Sequence, residues 1–207
     1  VLWYYLAYKR GIDARGIVLW LGLGIALGGE LGYGQYTGWI RGVFQVGDET
    51  MHISPWLGYF WFTMCGVGWA APGGVLLGWS LSKSASVRIW AVRSLLLIVL
   101  LVLLFVPSVV DYVGEILLRT ESSILYPNAD KGIYTTDLGK HLSSTVYTNT
   151  QNFGVVVWWI VALLAAIWQR DRVTVILGLT IGGGFGLGFM QSAIWVLGYG
   201  IAPGYID

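Results

Sequence analysis

Glu30 is the only charged residue between Gly16 and Ile40. Read as one helix rising about 1.5 Å per residue, this stretch carries Glu30 about 21 Å in, past the midplane of a hydrocarbon core about 30 Å thick. An ionisable group at that depth costs about 2.5–3.5 kcal/mol on insertion scales and generally marks an ion or proton pathway. Ala26, Tyr33, Gly34 and Thr37 share its helix face, so Glu30, Tyr33 and Thr37 form the candidate transport or proton-coupling set. The alternative is a structural carboxyl bonded to neighbouring backbone or a tyrosine.

Other polar residues suggest less. Asp111 and Glu115 stand one turn apart after Pro107, and with Asp48 and Glu49 they are candidates for an acidic outer vestibule that attracts cations. The competing reading is a solvated helix end, with Arg119 relieving the repulsion one turn on. One cysteine, Cys65, and two histidines, His52 and His141, offer no ligand spacing, so neither a metal nor a cofactor is expected. Asp137, His141, Ser143 and Ser144 lie close in sequence without a nucleophile motif around them, so no catalytic residue is assigned. Pro72-Gly73-Gly74, in the middle of an apolar span, is expected to break or kink a helix and free carbonyls. Arg93, about 6 Å inside its span, is expected to snorkel to the interface.

Elements that could hold these groups follow from composition. Of 207 residues, 56% are hydrophobic and 11% charged, against about 25% charged in soluble domains. The chain therefore reads as an integral, multi-pass membrane protein in a lipid bilayer. Its net charge of +1 leaves no basic surface for nucleic acid. Apolar stretches predict five spans at Gly16–Ile40, Trp56–Leu81, Ile89–Val110, Phe153–Trp168 and Val173–Ile201. Val1–Tyr8 reads as the stump of a sixth, which makes the chain a fragment of a larger protein. Lys9, Arg10, Arg15, Lys83, Arg88, Arg170 and Arg172 all fall on one side of this map, which predicts that side as cytoplasmic and residues 119–152 as extracytoplasmic. Trp39, Trp56, Trp158 and Trp195 near the outer ends, and Trp79, Trp90 and Trp168 near the inner ones, read as interface anchors.

Sliding the chain on itself by 156 residues matches ten of twenty-two positions between the segments starting at Leu21 and Leu177. The shared residues recur at alternating intervals of four and three, a single helical seam. Gly28, Gly32 and Gln35, with Gly184, Gly188 and Gln191, are its small and amide positions, suited to close helix contact in lipid. The two segments are expected to touch along it. The predicted fold is all-α, a polytopic bundle with an internal parallel repeat. Residues 1–81 form a first three-helix unit with its first helix truncated, 82–118 a connector helix, 119–152 the outer loop and 153–207 the start of the second unit. This three-one-three plan resembles the layout of the SWEET sugar transporters, without their Pro-Gln signature and with no residue carried over. Three functions fit: a transporter or channel for a small solute or ion, proton-coupled through Glu30; a non-catalytic scaffold subunit, in a homo-oligomer or larger membrane complex; and a membrane enzyme acting on a lipid-linked substrate.

Overall fold

The computed structural model describes residues 8–9, 14–46, 49–82, 86–119 and 137–201. Its elements are α1 (Ala14–Gly28), α2 (Gly34–Ile40), β1 (Val43–Val46), β2 (Glu49–His52), α3 (Pro55–Leu81), α4 (Val87–Phe105), α5 (Pro107–Arg119), α6 (Asp137–Trp168), α7 (Arg172–Gly178), a π-helical turn (Leu179–Gly183) and α8 (Gly184–Ile201). Among the described residues, four helical stretches are long and apolar enough to cross a membrane: Pro55–Leu81, Val87–Phe105, Tyr147–Trp168 and Arg172–Trp195.

The axis of the bundle is α3, begun by Pro55 at its first turn, where a missing N–H costs nothing. From Cys65 to Trp79 it is buried almost continuously, and much of that run is Gly and Ala. Small residues let two backbones approach it. On one side Gly24 lies against Gly73, Gly28 against the Trp69 carbonyl, and Gly58 against Trp39 and Ile40. On the other, a Cβ added at Gly74 would meet the Leu177 carbonyl at 2.7 Å, and one at Gly66 the Phe189 side chain at 2.7 Å. In both sets the numbers rise along one partner as they fall along α3. The segments 14–40 and 172–201 therefore run parallel to each other and antiparallel to α3.

Contrary to expectation, α3 runs unbroken through Pro72. The positions that were to open a gap are filled: Gly73 by Leu21 and Ile25, Gly74 by Leu177, Gly178 and Ile181. The interruption falls instead in the first expected span, between α1 and α2. Four of the seven residues from Gly28 to Gly34 are glycine, each about 1 kcal/mol worse than alanine in a helix. The carbonyls released there find other donors. Trp69 Nε1 donates to Leu31 O at 3.0 Å, Asn152 Nδ2 to Gly32 O at 3.1 Å, and Cys65 Sγ to Gly32 O at 3.5 Å. The chain resumes as α2 in the same direction along α3.

Three further boundaries differ from those expected. Residues 137–152, expected as loop, have helical backbone continuous with α6. The third span ends at Phe105, because Pro107 cannot donate to the Leu103 carbonyl. Gln151 Nε2 takes over that role, 3.3 Å from Leu103 O and 3.1 Å from Leu104 O. A two-stranded antiparallel ribbon, with Val43 opposite His52 and Val46 opposite Glu49, joins α2 to α3. Helix α4 is peripheral: Arg93, Leu96, Leu100 and Leu104 form its buried stripe, and most of its remaining apolar side chains are exposed, as lipid contact requires.

Candidate functional site

Leu31 packs on Gly68, the central residue of the 27-residue α3. The break between α1 and α2 is thus level with the middle of the longest apolar helix. Glu30 occupies it, in a turn rather than a helix, and is exposed. Among the described residues no group bonds or pairs with its carboxylate. Tyr33 is half-exposed and sets its ring edge-on to Trp69, with centroids 5.4 Å apart. The Thr37 hydroxyl donates to Gly34 O at 2.8 Å within its own turn. Glu30, Tyr33 and Thr37 therefore do not enclose a cavity with Pro72–Gly74, since packing on both sides of α3 has closed that region. The acid lies on an open face of the chain.

Behind the break is a polar clamp that sequence reasoning missed. Asn149 Oδ1 accepts from Gln35 Nε2 at 3.0 Å and from the Tyr36 hydroxyl at 2.8 Å. Asn152 Nδ2 reaches the Tyr36 hydroxyl at 3.1 Å. Tyr36 also stacks on Trp61, with planes 10° apart. The clamp ties α6 to the interrupted span, and through Asn152 it occupies the Gly32 carbonyl, while Trp69 on α3 holds that of Leu31. The recoverable signal was three amides, Asn149, Gln151 and Asn152, on the edge of an apolar run, where polar groups must find partners.

The glycine and glutamine positions of the repeated seam do not meet each other. Gly28 meets α3, Gly32 faces Thr148 and Gln35 bonds Asn149, while Gly184 and Gly188 have nothing within 4 Å of an added Cβ and Gln191 is exposed. Both segments spend their closest approaches on α3 instead. They also meet directly where α2 approaches α8, and at Tyr33 and Phe189, positions matched at the 156-residue offset, whose ring centroids lie 6.4 Å apart beside Trp69.

The expected vestibule acids are not seen together. Asp111 is exposed on α5, Asp48 lies outside the described residues, and the side chains of Glu49 and Glu115 are likewise outside them. Among the described residues no cluster of three His, Cys, Asp or Glu could hold a metal.

A second buried polar site lies at the other end of the bundle. Arg93 does not snorkel: it is 1% exposed and bonds Asp171 Oδ2 at 2.8 Å. It also donates to Ser82 Oγ at 3.1 Å and to Trp79 O at 3.3 Å, with its guanidinium 5.3 Å from the Trp90 ring centroid. Asp171 accepts from Thr174 N at 3.2 Å and Thr174 Oγ1 at 2.6 Å, capping α7. Here α4, the end of α3 and the α6–α7 turn are locked together, so Arg93 and Asp171 act as a structural pair. The chain matches no protein-family model, no curated protein and no solved structure, so its function is argued from this geometry.

Proposed function

We propose that this chain is an integral membrane transporter or channel for a small solute or ion, with Glu30 as its proton-coupling group. The observation that carries this reading is the interrupted first span, which holds a carboxylate without a partner among the described residues, level with the centre of α3. Interrupted helices near the midplane are where transporters place their substrate and ion groups. A carboxylate there needs water or donors. Because the Leu31 and Gly32 carbonyls are already bonded, Glu30 is the ionisable group at the break left to interact with a solute. Its open face implies that a second copy or another polypeptide completes the path, with the segments from Leu21 and Leu177 as halves of a parallel repeat and the Lys/Arg-rich loops cytoplasmic.

The test is proton flux into liposomes under an imposed potential, read with an entrapped pH dye. Wild-type protein should dissipate the gradient, and Glu30→Gln, which keeps shape but not titration, should slow it at least tenfold with the fold intact. Equal flux through Glu30→Gln would exclude the coupling role. Wild-type flux no faster than empty liposomes would leave the second reading, a non-catalytic subunit of a membrane complex. That reading draws on the clamp and the Arg93–Asp171 pair, which tie helices together through buried polar contacts.

A further inference from the structure

The turn between α6 and α7 carries features that its structural role does not use. Helix α6 ends at Trp168 and α7 begins at Arg172, so Arg170 and Arg172 are held where two membrane-length helices leave the hydrocarbon. The exposed Trp168, with the Arg88 guanidinium 4.8 Å from its ring centroid, marks the interfacial level. An open groove of about 640 Å³ lies at this turn, lined by the exposed Arg170 and Arg172 and by the apolar Ala166, Ile167, Val175 and Ile176. Asp171 also lines it, but that carboxylate is committed to Arg93 and Thr174. No described group pairs with Arg170 or Arg172.

The backbone at Arg170 is unusual. Asp171 N donates to Ala166 O at 2.9 Å and Arg170 N to Ile167 O at 3.0 Å, the paired bonds that end a helix with a left-handed residue, usually glycine. Arg170 holds that position with φ of 56°. Glycine would fit the turn better, so the arginine is not explained by folding.

We infer that this groove binds the phosphate headgroup of an anionic phospholipid, with an acyl chain along Ile167, Val175 and Ile176. Two guanidiniums with no partner among the described residues supply the charge at headgroup level, and the apolar walls continue into the bilayer. The inference rests only on α6 and the stretch Arg172–Trp195 crossing a membrane, and it survives if transport fails.

The probes are dioleoylphosphatidylglycerol, dioleoylphosphatidylcholine and inorganic phosphate, added to the full chain in detergent and read by native mass spectrometry and thermal unfolding. Wild-type protein should retain the glycerol lipid over the choline lipid. Arg170→Gly should weaken that retention roughly fivefold, and Arg170→Gly with Arg172→Gln roughly thirtyfold, at about a fivefold loss per charge. Arg170→Gly should unfold at the same temperature or higher, since glycine suits the turn; a lower temperature would mean Arg170 is structural and overturn the inference. So would equal retention of the two lipids, undiminished retention by the double variant, or displacement of the glycerol lipid by millimolar phosphate. Arg41→Gln, at the opposite end of the bundle, should leave retention unchanged.

Discussion

Asp171→Asn is expected to lower the stability of the protein by about 3 kcal/mol, at the low end of the range for breaking a buried ion pair. The substitution preserves shape and can still cap α7 through Thr174 N. It removes the only carboxylate described beside Arg93, whose side chain is 1% exposed. The guanidinium would keep Ser82 Oγ, Trp79 O and the Trp90 ring, which is why the loss should not reach the top of that range. Arg93→Met alone should cost a similar amount by stranding Asp171. Together, Arg93→Met and Asp171→Asn should recover most of the loss and unfold within about 1 kcal/mol of wild type, because a neutral pair leaves no uncompensated charge. Chemical unfolding in micelles measures all three. A double variant as unstable as the sum of the singles would show that the two residues are not coupled.

The second large effect separates residues that the repeat makes equivalent. Gly28→Leu and Gly24→Leu should each destabilise by about 3 kcal/mol or more, the upper range for overpacking, because the obstructing atoms are backbone. An added Cβ at Gly24 runs into Gly73 and Pro72, and one at Gly28 into Trp69. Neither can move without displacing α3. Gly184→Leu and Gly188→Leu should be nearly neutral, since nothing lies within 4 Å of an added Cβ at either. Gly184→Ala should stabilise by up to about 1 kcal/mol through helix propensity. Thermal unfolding of the four leucine variants decides it: comparable losses at Gly28 and Gly184 would mean that the segments meet each other along the seam after all.

Much of the helical frame was legible because charge-free apolar runs of membrane length have few other solutions. The α3 boundaries, expected at Trp56–Leu81 and found at Pro55–Leu81, followed from its lack of charge. The break at Gly28–Gly34 was not legible. Its seam keeps helical period straight through the gap, and what stabilises the gap is donors on Cys65, Trp69 and Asn152, between 33 and 120 residues away. Conversely, Pro72 carries the strongest local breaking signal in its span, yet close packing on both sides overrides it. Arg93 and Asp171 are 78 residues apart, and the acid sits between Arg170 and Arg172 with no local sign of burial. The β1–β2 ribbon did have a local signal, Gly47-Asp48 between two short runs containing Val, Phe and Thr, which the search for spans passed over. At the candidate site Glu30 itself was visible as a charge out of place. Its surroundings were not, because an exposed turn and a buried helical position share the same sequence.

Water access to Glu30 is the property on which the proposed role stands or falls, and cysteine modification reads it directly. In a Cys65→Ser background, where the hydroxyl can still donate to Gly32 O, Glu30→Cys protein reconstituted in liposomes should react with a charged, membrane-impermeant methanethiosulfonate. The rate should approach that of an exposed control such as Arg41→Cys, because a thiol reacts as its thiolate, which forms in water and not in hydrocarbon. Labelling by a lipid-soluble maleimide alone, with no reaction towards the charged reagent from either side, would place Glu30 against lipid or a dry protein interface and contradict a polar path through the break.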